Sequence, residues 1–414
     1  MTVQHEPGAG AGALREAAET PDPAGALAGL RVLDLTEFMA GPYCTLILAD
    51  MGADVVKIER PGRGDQVREW HGDPRNPMFM YMNRNKRSLT LDLKAEAGKA
   101  AFLRLARVAD VVVENFRPTV MDKLGLGWER LHAKNPRLVY CSISGFGYDG
   151  PAREKGGFDL IAQAVGGIMH VTGEADGPPT SVGLPITDLG SGMFAASGIL
   201  AACWQRERSG LGQRVEASLL ETAVAFSSWT GAGYLANGKE PRRLGSRHRQ
   251  AAPYQRFGTA DGYLVIGAGS QQLWERMAPA LGHGEWVRDP RFLTMDDRVA
   301  NRLALEREIE AVLKERPTAH WVQVLDEAGI PCGPVNSYRE LFADPQVRHR
   351  ELVIEREDGE QGPVRLLRTP VRMTGGAVTV RRLAPHLGEH RREVLAEFGF
   401  APAEIEALEA KGVI

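Results

Sequence analysis

Four short apolar runs, separated by stretches with helical spacing, constrain this chain more than any other feature. They occupy residues 32–35, 54–58, 109–113 and 138–143. Such runs, continuous in apolar residues and rich in valine and isoleucine, suit strands that are buried on both faces. The stretches 43–51, 95–108 and 128–133 between them space their apolar residues as helices do. Strand and helix alternating in this order predict an α/β fold with an open parallel sheet.

Beyond residue 144 the pattern changes. Helical stretches are expected at 161–169 and 191–205, and 215–229 mixes strand and helix signals. Polar, basic sequence at 237–250 reads as a linker. A hairpin is expected around 260–266 with Asp261-Gly262 as its turn, followed by helices at 272–281, 301–314 and 319–328. The chain ends on a helix with Pro402 near its first turn and Gly412 at its end.

Composition excludes several classes. A net charge of -3 gives no general attraction to nucleic acid or an anionic membrane. Cys44, Cys141, Cys203 and Cys332 are scattered, without CxxC or a metal-like grouping, and read as reduced thiols in a cytoplasmic protein. No metal is expected. No apolar run reaches the roughly 20 residues of a membrane span. Residues 1–27 read as a disordered tail, lacking the apolar core of a signal peptide.

The turn after the first strand, Thr36-Glu37-Phe38-Met39-Ala40-Gly41-Pro42, has one glycine where a dinucleotide fingerprint needs three, which counts against a dehydrogenase. Basic residues follow the strands instead: Lys57, Arg60 and Arg63, then Asn83-Arg84-Asn85-Lys86-Arg87, then Arg117 in Glu114-Asn115-Phe116-Arg117-Pro118. Each is either a solvated charge or a phosphate ligand, and Phe116 could stack on a base. Asp188, between Gly183-Leu184-Pro185 and Gly190-Ser191-Gly192, is either a helix N-cap or a nucleophile. Asp159, after Gly156-Gly157-Phe158, reads as a cap. Gly267-Ala268-Gly269-Ser270-Gln271 after an expected strand is either a plain turn or a loop able to approach a reacting carbonyl.

Taken in order, these motifs resemble the class III CoA transferases, the group that includes formyl-CoA transferase, carnitine CoA-transferase and α-methylacyl-CoA racemase. The matching segments run from Leu30-Arg31-Val32-Leu33-Asp34-Leu35 and Ala40-Gly41-Pro42 through Gly52-Ala53-Asp54, Asn85-Lys86-Arg87, Glu114-Asn115-Phe116-Arg117-Pro118 and Ser144-Gly145-Phe146-Gly147. Phe158-Asp159, Thr187-Asp188 and the terminal Lys411-Gly412-Val413-Ile414 complete them.

The resemblance implies a Rossmann-like large domain built from 28–235 and 346–414, a linker at 236–252, and a smaller α+β domain inserted at 253–345. It also implies an interlocked homodimer. By the resemblance, Asp188 is the catalytic carboxylate and 267–271, with Gly267, Gly269 and Gln271, the mobile loop. CoA would lie near Met39, Ala40, Arg60, Lys86, Asn115, Phe116 and Arg117. The implied reaction moves CoA between an acyl-CoA thioester and a free carboxylic acid through aspartyl anhydride and aspartyl-CoA intermediates, with no permanently bound cofactor. A racemase or epimerase, and a catalytically idle CoA-binding protein, are the alternatives. Phe158 stands where the racemase branch has histidine and cannot titrate, which disfavours racemisation. Met39 stands where formyl-CoA transferase has glutamine, which points to a different, bulkier acid.

Overall fold

The computed structural model describes residues 25–72, 76–359 and 362–414. The tail assigned to 1–27 lies outside them except for its last three residues, where the Leu27 N–H donates to the Met51 carbonyl. The described residues form two units. One comprises the chain up to Ser144, Ser191–Ala217 and Ile354–Ile414; the other comprises Gly145–Gly190 and Ser218–Val353. The stretch 253–345 therefore lies wholly within the second unit, together with segments on its N-terminal side.

The first unit is built on a six-stranded sheet. Its strands are β1 (Arg31–Asp34), β2 (Asp54–Glu59), β3 (Lys86–Thr90), β4 (Val111–Glu114), β5 (Val139–Ser144) and β6 (Arg214–Ser218), in the order β3-β2-β1-β4-β5-β6. Parallel pairing joins β3 to β2, β2 to β1, β1 to β4 and β4 to β5, with Leu33 opposite Val56 on one side and Val112 on the other. The order reverses between β1 and β4, the place where open α/β sheets leave a crevice beyond the strand ends. Leu33, Val56, Val112, Phe102 and Leu105 pack in one core with Val394, Leu395 and Ile405 from the C-terminal helices Arg391–Glu397 and Pro402–Ala410.

Four of these strands match the expected apolar runs. The third does not, because Lys86-Arg87-Ser88 looks like exposed basic sequence while every residue of β3 is buried. Its charges are paired: Lys86 with Asp34 at 2.9 Å, and Arg87 with Asp54, Glu393 and Glu397 at 2.7–2.8 Å. A charge is tolerated inside only with such partners.

The second unit has its own core around Phe257, Leu264, Ile266, Trp274 and Phe292. Its hairpin, β7 (Tyr254–Gly258) and β8 (Tyr263–Gly267), turns at Ala260-Asp261, one residue before the expected Asp261-Gly262, because Gly258 pairs with Tyr263 and the Thr259 N–H donates to the Gly262 carbonyl; β9 (Cys332–Pro334) adds a third antiparallel strand. The helices Gln271–Ala280, Arg302–Leu313 and Thr318–Glu327 fall within a residue or two of expectation. The 24-residue helix Ile186–Ser209 begins five residues before the expected start. It has the length and apolarity to cross a bilayer. In the fold, Ala195, Ala196, Ile199 and Ala202 are buried along one of its faces.

Candidate active site

Asp188 stands in the first turn of the helix Ile186–Ser209, two residues past its start, and is not its cap. The helix begins because Pro185 has no N–H to donate and presets its own φ; the Leu189 N–H then closes the first turn on the Pro185 carbonyl.

A second carboxylate organises this turn. Asp159 opens the helix Asp159–Val165 but does not cap it. Its Oδ1 accepts the backbone N–H of Thr187 at 2.8 Å and the Thr187 hydroxyl at 2.7 Å. Asp159 thus satisfies a first-turn donor of the helix that carries Asp188, a donor with no partner within its own helix. Its Oδ2 accepts from the Gln163 side chain at 2.7 Å. Gln163, one turn along the same helix and buried, also accepts the Val182 N–H at 2.9 Å, tethering the approach to Pro185. Sequence named Thr187 only as part of the Thr187-Asp188 motif and did not single out Gln163. The spacing of Asp159 and Gln163, four apart on a helix, is the one local signal for Gln163.

The glycines before Asp159 have a direct cause. A Cβ at Gly157 would lie 2.4 Å from the Gly145 Cα, so the two backbones pass in contact and bring Phe158 and Asp159 back close to Gly145. Phe158 itself is exposed.

Asp188 is half-buried, and its pKa is pushed up to about 7. Burial is the larger cause and the Asp159 carboxylate the smaller. Both effects outweigh the helix dipole, which favours a carboxylate at this end. At neutral pH such a group divides between a proton acceptor of raised basicity and its acid form. Raised basicity also makes the ionised form a better nucleophile than an exposed aspartate.

The glycine loop follows β8. Gly267 closes that strand, paired with Tyr254, and Ser270 caps the helix Gln271–Ala280 by accepting the Leu273 N–H. A Cβ at Gly267 or Gly269 would meet nothing closer than 3.5 Å, so packing does not itself require glycine at either position. Gln271 is committed locally: its carbonyl oxygen accepts from Arg298 at 3.0 Å and its amide donates to Glu275 at 3.1 Å.

The residues assigned to CoA lie in the first unit and divide into two groups. Arg60 and Arg117 are exposed, with Arg60 3.6 Å from Glu37. Met39 and Phe116 are partly buried, and Ala40 opens the helix Ala40–Asp50. Asn115 uses both amide atoms on one residue, accepting the Glu37 N–H at 2.9 Å and donating to the Glu37 carbonyl at 2.7 Å. Lys86 corrects the sequence reading. It has no exposed surface, and its ammonium group donates to Asp34, the Pro42 carbonyl and Asn83, so it has no face left for a phosphate. Among the described residues no group of histidine, cysteine and carboxylate side chains forms a metal site.

The chain is similar to known proteins over nearly its whole length. The model of CoA-transferase family III matches residues 27–391. The succinyl-CoA:glutarate CoA-transferase of Mus musculus is 39% identical over 94% of this chain and 90% of its own. The acetyl-CoA:oxalate CoA-transferase of Acetobacter aceti is 40% identical over 92% of this chain and 98% of its own. In three dimensions a CAIB/BAIF family protein from Brucella suis superposes with a TM-score of 0.81 at 38% identity, covering 90% of this chain and 99% of that one. With a family match across both sheet and site, this chain belongs to CoA-transferase family III.

Proposed function

We propose that this enzyme transfers CoA from an acyl-CoA to a free dicarboxylic acid, with Asp188 as the covalent carrier. The observation that carries the reading is Asp188 itself, a desolvated carboxylate in the first turn of a helix whose start is pinned by Asp159. The acceptor class follows the two relatives, whose names give glutarate and oxalate, both dicarboxylates. Methionine at position 39 favours an acid longer than oxalate, since its thioether offers a small carboxylate no amide hydrogen bond.

In the proposed reaction a carboxylate oxygen of Asp188 attacks the thioester carbonyl carbon. The C–S bond breaks, CoA leaves as thiolate, and a mixed anhydride remains. The thiolate then attacks the Asp188 carbonyl, expelling the donor acid and leaving an aspartyl-CoA thioester. The acceptor carboxylate attacks this thioester and releases the thiolate. The thiolate takes the acceptor's acyl group in turn and restores the Asp188 carboxylate. Each step exchanges one acyl bond for another, so no proton need move. An anhydride is lost to water in an open site. Gly267 and Gly269 make no contact tighter than ordinary van der Waals distance, which fits a loop that closes on substrate.

Phe158, Trp204, Trp229 and Leu235 each expose well over half of their surface, as expected if a second copy of the chain covers them in a homodimer. No feature of the site favours racemisation, for Phe158 cannot exchange a proton.

The test is chemical trapping. Incubation with succinyl-CoA and hydroxylamine should convert Asp188 to a hydroxamate, located by peptide mass spectrometry and missing from Asp188→Ala. A transferase that turns over succinyl-CoA at full rate in hydroxylamine, with Asp188 unmodified, would rule out the covalent route.

A further inference from the structure

The loop from Thr36, which leaves β1 and runs into the first turn of the helix Ala40–Asp50 at Pro42, is held by side chains on or beyond the neighbouring strands as well as by Asp34, which accepts the Thr36 N–H at 2.9 Å. Lys57 of β2 donates to the Thr36 carbonyl at 2.6 Å. Asn115, just past β4, brackets both backbone groups of Glu37. Asp65 accepts the Phe38 N–H at 3.4 Å. Lys86, the first residue of β3, donates to the Pro42 carbonyl at 3.1 Å. Gly41 lets the loop close on itself, since a Cβ there would lie 2.4 Å from the Thr36 Cβ.

The result is visible in the backbone. Phe38 has φ +66°, a left-handed conformation that is unfavourable for a residue with a side chain and persists only where its surroundings impose it. The loop stands at the reversal between β1 and β4, where a ligand of this sheet would bind.

We infer that Lys57 and Lys86 are positioning residues for acyl-CoA binding, their ammonium groups fixing the two ends of this loop so that it meets the ligand already folded. The inference rests on the transferase reading above. Neither lysine has any exposed surface, so neither touches a ligand in this conformation. Their charges are matched one to one, Lys57 with Asp65 and Lys86 with Asp34, both at 2.9 Å. Buried pairs of this kind add little stability over an apolar replacement. What an apolar replacement would not supply is the ammonium donor on each carbonyl, at Pro42 beside the Thr45 hydroxyl that also donates there at 3.3 Å. A loop ordered in advance spares the ligand the entropy of ordering it.

The experiment compares the full-length protein with Lys57→Met/Asp65→Asn, which removes one buried pair together and keeps the Oδ1 acceptor that serves Phe38. Calorimetric titration with CoA measures binding without turnover, and steady-state kinetics give KM and kcat. The expected result is a rise of about tenfold in Kd for CoA and in KM for acyl-CoA, with kcat within about threefold. Amide exchange across 36–42 should quicken. A merely structural role would lower Tm without that split. Phe38→Gly, which frees the same loop without touching a buried charge, decides the question if the double variant does not fold; its Kd for CoA should rise several-fold. A folded variant that binds CoA as the wild type does would overturn the inference alone. A wild type that binds no CoA would overturn the transferase reading and the inference with it.

Discussion

The Asp159 carboxylate accepts the backbone N–H of Thr187 at 2.8 Å, one residue before Asp188. One acid therefore builds the turn that presents the other, while its charge makes the second harder to ionise. These two effects separate by substitution. Asp159→Asn keeps an acceptor for Thr187 and removes the charge, so the pKa of Asp188 should fall while the fold holds. Asp159→Ala also removes the hydrogen bonds to Thr187 and Gln163, at about 1–3 kcal/mol for each buried group left unpaired. It should lower both Tm and kcat, measured by thermal melts and CoA-ester exchange.

Transfer should depend on pH through Asp188. In the proposed reaction the nucleophile is the ionised form, so kcat/KM for acyl-CoA should climb as pH rises through about 7 and level off above it. Glu114, buried at the end of β4, is also pushed up to about 7 by burial. Glu114→Gln therefore serves as the control: its pH profile should keep the same rising limb if Asp188 is the group observed.

Asp188→Asn should abolish transfer yet stabilise the protein. The folded pKa lies above the ordinary 3.8, so the unfolded chain gives up this proton first as pH rises. Wild-type stability from this group therefore declines between about pH 4 and pH 7, whereas the amide variant has no such loss. At pH 8 the Tm of Asp188→Asn should exceed that of wild type by about 2 °C or more, and near pH 4 the difference should vanish. Differential scanning calorimetry at the two pH values checks the sign.

Gly267→Ala and Gly269→Ala should fold normally, with stability within about 0.5 kcal/mol of wild type, because a Cβ at either finds only ordinary contacts. If the loop serves the reaction, kcat should nonetheless fall, by about tenfold or more. Denaturant melts beside CoA-ester exchange separate the two outcomes.

Much of this structure was legible in the chain. Runs such as 54–58 and 109–113 became β2 and β4 because continuous apolar sequence has one stable place, between two layers of helices. The end of the helix Pro402–Ala410 was fixed by local backbone preference, with Gly412 just beyond it at φ +65°. The order of motifs also led to the family and to Asp188.

Other features depended on partners far away in sequence. β3 was missed because Lys86 and Arg87 read as surface charges until Asp34, Asp54 and two C-terminal glutamates are brought beside them. Lys86 passed from expected phosphate ligand to buried clamp for the same reason. Asp159 was read as a cap for its own helix and instead caps another, 28 residues on. Local sequence determines which backbone conformations and which faces are favourable, and that was enough to identify the apolar strands and the family. The state of a charge depends on which groups surround it once water has gone, and only the tertiary structure decided that Lys86 holds a loop, that Asp159 holds a helix, and that Asp188 is left with a proton loosely bound near neutral pH.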